Sequence, residues 1–225
     1  MKQGQYDIVV VGGGHAGVEA SLVACYMGSK VALVTMDPTA IGRMSCNPAI
    51  GGLAKGQMVR EVDVLGGVMG FFADMSGIQF KVLNKKKGRA VWSPRTQIDK
   101  RQYEKIVRGA VKNSDVDIVV GEVISVKEVS GRVGSVLLRS GEEIKTVSAI
   151  ITSGTFLSGV IHIGERKINA GRMGEERAEG LTESLHSIGL KSARLKTGTP
   201  PRIEKSSIDW TKTMEASGDI EPVPF

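Results

Sequence analysis

Tyr6-Asp7-Ile8-Val9-Val10-Val11-Gly12-Gly13-Gly14-His15-Ala16-Gly17 decides the fold. An apolar, β-branched run ends abruptly in a glycine turn, and residues at helical spacing follow (Ala16, Ala20, Val23, Ala24, Met27) until Gly28 stops them. Lys30 to Thr35 then reads as a second strand, so the first 35 residues predict a β-α-β unit with a right-handed crossover. Gly12-x-Gly14-x-x-Gly17 therefore sits where a dinucleotide fingerprint must sit, after a strand and at the opening of a helix. Gly12 permits the tight turn, Gly14 lets the backbone approach a pyrophosphate, and Gly17 lets helix pack on strand. The helix end adds free N–H groups and the positive end of its dipole. Gly13, His15 and Ala16 enter the candidate site as backbone of the same turn.

The acidic residue that usually accepts the ribose hydroxyls belongs at the end of the second strand, where this chain has Thr35. Either the Thr35 hydroxyl or Asp37, two residues on, is expected to hold the ribose. The departure argues against a routine NAD dehydrogenase.

Farther along, helices are predicted over about 55–65, with Met58, Val62 and Leu65 on one face, and over about 99–113, with Tyr103, Ile106, Val107 and Ala110 as the stripe. Val116–Val120 reads as a buried strand, Val123–Val129 and Arg132–Arg139 as a hairpin turning at Ser130-Gly131, and Glu143–Thr152 as a further strand. The expected architecture is α/β: a Rossmann-like domain with a doubly wound parallel sheet over residues 1–160, and an inserted three-stranded β-meander at about 118–148. Residues 161–225 are expected to start a second, inserted domain on the substrate or nicotinamide side, incomplete here, with a helix over about 175–188 that stops at Gly189. Ser153-Gly154-Thr155 resembles the second nucleotide-contacting turn of flavoproteins with two dinucleotide-binding domains. Fingerprint, meander and small-residue turn, in that order, favour FAD over NAD as the resident cofactor.

Two cysteines, Cys25 and Cys46, without CxxC spacing provide neither a disulfide framework nor a zinc cage, so no metal is expected. Cys25 lies inside the first helix as a small hydrophobe. Cys46, between Ser45 and Asn47 in a Gly/Pro-rich loop, could be a packed thiol or a nucleophile or acid beside a flavin. His162 and His186 have no partner spacing.

Net charge is +6, but the window from Lys81 to Arg108 holds ten basic residues against two acidic ones, leaving −2 for the remainder. A local excess of this kind suits a polyanion, and Lys85, Lys86, Lys87, Arg89, Lys100 and Arg101 are the candidate nucleic-acid contacts; a solvated lysine-rich face is the plainer reading. No apolar run approaches the roughly 20 residues of a membrane span, and the amino terminus lacks signal-peptide organisation, so a cytoplasmic protein is expected.

Gly-Gly-Gly-His-Ala-Gly (12–17), Ser-Cys-Asn-Pro-Ala-Ile-Gly-Gly (45–52), Gly-Thr-Phe-Leu (154–157) and Leu-Lys-Thr-Gly-Thr-Pro-Pro-Arg (195–202) together resemble the glucose-inhibited division protein A family. That family supplies the FAD-binding subunit of the enzyme that installs carboxymethylaminomethyl groups on C5 of the tRNA wobble uridine, and the likeness runs from Tyr6 to the end of the chain. The resemblance implies FAD, NADH or NADPH as reductant, methylene-tetrahydrofolate as carbon donor, a tRNA substrate, a GTPase partner and a homodimer. It also implies that Cys46 is catalytic, adding to uracil C6 or acting as an acid or base. Ser45, Asn47, Arg95 and Gln97 then lie near the flavin, and Val123 contacts the adenine end of FAD. A missing acidic residue at Thr35 is usual in this family.

Family members are considerably longer, and their second cysteine, nicotinamide-binding insertion and carboxy-terminal helical region would lie beyond Phe225. The chain is thus expected to be a fragment that is inactive alone. Competing readings are a flavin- and folate-dependent uridine methyltransferase of tRNA or rRNA, a fumarate-reductase-like oxidoreductase, and a non-catalytic FAD- or RNA-binding module. The 45–52 loop disfavours the first two.

Overall fold

The β-branched run that opens the chain lies at the centre of a six-stranded sheet, and the residues around it explain why. The computed structural model describes residues 5–44, 48–155, 157–171, 176–196, 198 and 203–225. In chain order the elements are β1 (Tyr6–Val11), α1 (His15–Tyr26), β2 (Val31–Thr35), β3 (Ala49–Gly51), α2 (Gly56–Val64), α3 (Met69–Met75), β4 (Gly77–Leu83) and β5 (Ser93–Ile98). They continue with α4 (Lys100–Lys112), β6 (Asp117–Val120), β7 (Val123–Val129), β8 (Arg132–Leu138), β9 (Glu143–Ile151), β10 (Val160–Ile163), β11 (Arg166–Asn169) and α5 (Leu181–Ser187). No helix of the described residues is long and apolar enough to cross a membrane.

The chain forms two compact units, Met1–Arg43 with Arg101–Ser192 and Met44–Lys100 with Ala193–Phe225. This grouping is discontinuous in sequence, whereas the division read from the sequence was linear, with a break at 160. In the first unit the strand order is β6-β2-β1-β9-β8-β7. β6, β2, β1 and β9 are mutually parallel, with Val10 of β1 opposite Leu33 of β2 on one side and Ile150 of β9 on the other. Val9, Val10 and Val31 to Val34 are buried, as strands covered on both faces require. This is the expected Rossmann-like α/β architecture with its meander.

β9 serves two partners. Residues 143–145 complete the antiparallel meander with β8, while residues 146–151 run parallel to β1. The meander is thus joined to the parallel sheet by one continuous strand rather than inserted as a separate layer. Its inward residues Val123, Val126, Val136, Leu138 and Ile144 form one core cluster with Val9, Val11 and Leu181.

Several local expectations shift. α1 buries Gly17, Val18, Ser21, Leu22 and Ala24 instead of a stripe through Ala16 and Met27. The small residues win because they permit close approach, and Ser21 Oγ satisfies itself on the Gly17 carbonyl at 2.7 Å. β6 is an edge strand with Ile118 and Val120 outward, not a buried one. α5 begins at Leu181, not near 175, because Gly180 sits at φ +91° and Ala178 is extended, bridging to Leu157.

The second unit holds the three-stranded antiparallel sheet β3-β5-β4 with α2 and α3. In α2 the expected face is the wrong one: Met58, Val62 and Leu65 are outward, and Gly56 and Val59 are buried. Gly56 decides this, since a Cβ there would lie 2.5 Å from the Pro94 carbonyl oxygen, a closeness only glycine allows.

Candidate functional site

A cavity of about 380 Å³ opens at the carboxyl ends of the parallel strands, lined in part by Gly12, Thr35, Asp37, Glu122, Val123 and Ser153. β1 has β2 and β6 on one side and β9 on the other, so the chain departs in opposite directions from this point. Such a switch point is where open α/β sheets bind ligands.

Each fingerprint glycine has its own reason. Gly12 adopts φ +108°, and a Cβ on it would lie 2.5 Å from the Thr152 carbonyl oxygen. A Cβ on Gly17 would overlap the Gly12 carbonyl oxygen, so α1 could not sit so close to β1. Gly14 differs: a Cβ there meets nothing within 4 Å. Gly14 caps α1 with no side-chain hydrogen bond, and the first turn carries no acidic residue. The leading N–H groups of the helix have no intrahelical acceptor, so the positive end of α1 can accept an anionic group. The residues present fit the diphosphate of a dinucleotide.

Thr152 locks the turn. Its backbone N–H donates to the Val11 carbonyl at 2.9 Å, and its hydroxyl reaches the Val11 and Gly12 carbonyls at 2.8 and 3.1 Å. Sequence reasoning passed over this residue, although it directly follows a strand and precedes the Ser153-Gly154-Thr155 turn. Of that turn, Ser153 lines the cavity, Gly154 takes φ +67°, and both Gly154 and Thr155 are exposed.

At the end of β2 the Thr35 hydroxyl donates to the Asp37 carbonyl at 3.3 Å. Asp37 Oδ1 accepts the Thr39 N–H and hydroxyl at 2.8 and 2.6 Å, and Oδ2 accepts Arg43 Nη2 at 3.2 Å. The Thr39 hydroxyl, its N–H and the Arg43 guanidinium hold this carboxyl below the usual range against partial burial. Three of its roughly four lone-pair sites are used, which leaves one on Oδ2 for a ribose hydroxyl.

His15 does more than lend backbone. Its ring stands edge-on to Tyr103 with centroids 5.6 Å apart, and burial pushes its pKa down, which favours the neutral imidazole. Burial also lifts the Tyr103 phenol, above the usual tyrosine value. Ala16 is exposed beside Gly14, and Gly13 closes on Ile41. Val123 is buried at the cavity wall next to Glu122. Glu122, which the sequence did not single out, is gripped by both Arg139 nitrogens and accepts the Glu179 N–H at 2.7 Å, which pins the segment before α5 to the cleft.

Other expected site residues belong to the second unit or lie outside the described residues. Ser45, Cys46 and Asn47 are among the latter. Arg95 and Gln97 lie on β5 and share one face of the sheet. Lys85, Lys86, Lys87 and Arg89 occupy the exposed connection after β4, where Lys85 pairs with Asp219 at 2.9 Å and Arg89 stacks on Trp92, 5.7 Å from the ring centroid. Lys100 and Arg101 are exposed at the start of α4, on either side of the division between units.

A family model described as glucose inhibited division protein A matches residues 7–225. A relative from Chlorobaculum tepidum, named tRNA uridine 5-carboxymethylaminomethyl modification enzyme MnmG, is 51% identical over 222 residues, covering 98% of this chain and 36% of the relative. The enzyme of the same name from Aquifex aeolicus is 46% identical over 222 residues, with the same two shares. The crystal structure of Aquifex aeolicus GidA superimposes with a TM-score of 0.92 at 46% identity, over 98% of this chain and 37% of that one. A GidA-related protein from Thermus thermophilus shares the fold at a TM-score of 0.52 and 16% identity. The chain thus spans a little over a third of the relatives it matches.

Proposed function

The chain belongs to the glucose-inhibited division protein A family, and from that premise we propose that it is the FAD-holding part of a tRNA-modifying enzyme. The modification is addition of a carboxymethylaminomethyl group to C5 of the wobble uridine, with a carbon from methylene-tetrahydrofolate, electrons from NADH or NADPH, and a GTPase partner. The relatives' names support the reaction, and the open Gly14 position at the uncapped start of α1 is the observation that carries the cofactor.

In this reading the Gly12–Gly17 turn and the amino end of α1 hold the pyrophosphate, with Ser153-Gly154-Thr155 alongside. Asp37 takes a ribose hydroxyl on its remaining Oδ2 lone pair, and Thr35 fixes the backbone that presents it. Val123 packs on the adenine end, while Ser45 and Asn47 serve the flavin end. Bound there, FAD supplies the redox chemistry. The neutral His15 and Tyr103 back the turn without placing a charge beside a diphosphate. Cys46 is the catalytic thiol. Lys85, Lys86, Lys87, Arg89, Lys100 and Arg101 meet the tRNA backbone, where counterion release gives affinity. The working enzyme is a cytoplasmic homodimer.

The first test is the absorbance spectrum of the purified chain after FAD is added and excess removed. A retained flavin band is expected, and a chain that emerges colourless contradicts the proposed cofactor site. In the longer protein, Cys46→Ser should keep flavin and stop modification; normal turnover in that variant would remove Cys46 from the chemistry.

A further inference from the structure

The second unit contains its own cavity, about 200 Å³, lined by Gln79, Lys81, Leu83, Arg95, Gln97 and Ala216. The register of β4 and β5 explains the lining. Gln79 lies opposite Gln97, Lys81 opposite Arg95 and Leu83 opposite Ser93, so alternate residues of both strands share this face. Thr96 and Ile98, of the other parity, are buried.

The third wall is the segment 216–219, which lies along β4. Asp219 N–H donates to the Phe80 carbonyl at 2.8 Å, Gln79 Nε2 to the Ala216 carbonyl at 3.1 Å, and Lys81 Nζ to the Ser217 carbonyl at 2.7 Å. The Asp219 carboxylate accepts Lys85 Nζ and the Val82 N–H, both at 2.9 Å, and it feels the Lys81 charge without a direct hydrogen bond to it.

Two like charges directly opposite on a sheet repel, and a sheet does not keep such a pair without a reason. Here no carboxylate lines the space between them. Lys81 retains two of its three donors. Arg95, half-buried, makes no hydrogen bond or ion pair with any described residue, which leaves its five-donor fork unspent. Flanking carboxamides on Gln79 and Gln97 extend the donor set, and Leu83 closes one end with apolar surface. The volume equals roughly six or seven waters at about 30 Å³ each, which suits one acidic group and its adjoining carbons but not a dinucleotide.

We infer that this cavity is an oxyanion pocket in which Lys81 and Arg95 together grip the carboxylate or phosphate of a small molecule, with Gln79 and Gln97 orienting it. The inference rests on the second unit alone and stands whether or not the first unit holds FAD. It is tested on the whole chain, isotope-labelled so that the Nε–H resonance of Arg95 can be followed by NMR and assigned by its loss in Arg95→Met. Inorganic phosphate and acetate are titrated at constant ionic strength against chloride, before and after loading with FAD. The resonance should move saturably with phosphate or acetate at least fivefold more tightly than with chloride, and Lys81→Met should weaken that binding about tenfold. Tighter phosphate assigns a phosphoryl ligand and tighter acetate a carboxylate. A shift linear in anion and no different from chloride overturns the pocket, as does loss of the anion response once FAD is loaded, which would return Arg95 to the cofactor. Phosphate should raise the thermal midpoint of the unaltered chain and leave that of Lys81→Met unchanged. Flavin absorbance reports FAD separately, so the two readings fail independently.

Discussion

Gly14 and Gly17 lie three residues apart in one turn, while Gly51 and Gly56 flank one strand-to-helix connection in the other unit, and the pairs are built on opposite principles. In the second unit both glycines are shut: an added Cβ would run into the Pro94 carbonyl oxygen from either position. In the first unit one is shut and one is open, because Gly17 is pressed on the Gly12 carbonyl while a Cβ on Gly14 would meet nothing within 4 Å. A shut glycine is explained by the fold that closes on it. An open one is not explained by packing, and at the uncapped end of α1 it is the position the proposed cofactor site relies on.

Substitution should separate these meanings. The largest effect is expected from Gly17→Ala, which drives α1 away from β1 and should cost about 3 kcal/mol or more in urea unfolding. Near-unchanged stability would break the comparison at its root. Gly14→Val should leave unfolding within about 1 kcal/mol, the scale of a helix-cap change, yet abolish the retained flavin band. A variant that holds flavin normally would deprive the open position of its ligand.

The contrast also extends to charge. Replacing Lys85, Lys86 and Lys87 with glutamate, in the longer protein, should weaken tRNA binding about tenfold or more and reduce its salt slope by about 2 to 3. An unaltered slope would make this connection a solvated surface. The smallest effect sharpens the cleft side. Bonds from Arg139 and the Glu179 N–H hold the Glu122 carboxyl below the ordinary glutamate range despite partial burial. A depressed pKa stabilises the fold above the unfolded-state value and loses that contribution as pH falls through the folded one. Glu122→Gln should therefore cost about 1 kcal/mol or less at pH 7, and the difference should shrink progressively as pH falls below the unfolded-state glutamate pKa. A gap that does not change with pH would mean the contact is not ionic.

What the sequence revealed follows the same line between local and distant causes. β1, the glycine turn, α1, β2 and the β7–β8 hairpin were legible because each is written in neighbouring residues: a β-branched run, a fingerprint, a Ser130-Gly131 turn. The β3-β5-β4 sheet was not. β3 is three residues long, and β5 reads Ser-Pro-Arg-Thr-Gln-Ile, with a proline and four polar residues that resemble a loop. β4 falls partly inside the basic window, where the alternation of Gln79 and Lys81 with Phe80 and Val82 was read as charge rather than as a strand. α2 was placed correctly but turned outward side in, because the apolar count favoured Met58, Val62 and Leu65 while the packing was decided by Pro94, nearly forty residues away. In the candidate cleft the glycines were visible, whereas Thr152 and Glu122 were not, since their partners lie at Val11, Gly12, Arg139 and Glu179.

The Thr152 latch has a consequence for how the chain is born. The turn at Gly12 leaves the ribosome 140 residues before the hydroxyl that locks it. At about 5–20 residues per second, roughly 7 to 28 seconds separate the two. The β7–β8 hairpin can close in microseconds once it emerges, but β1 must wait for β9. During that interval β1 therefore carries an exposed, unpaired β-strand edge, and the cleft beside Gly12 is not locked until β9 arrives.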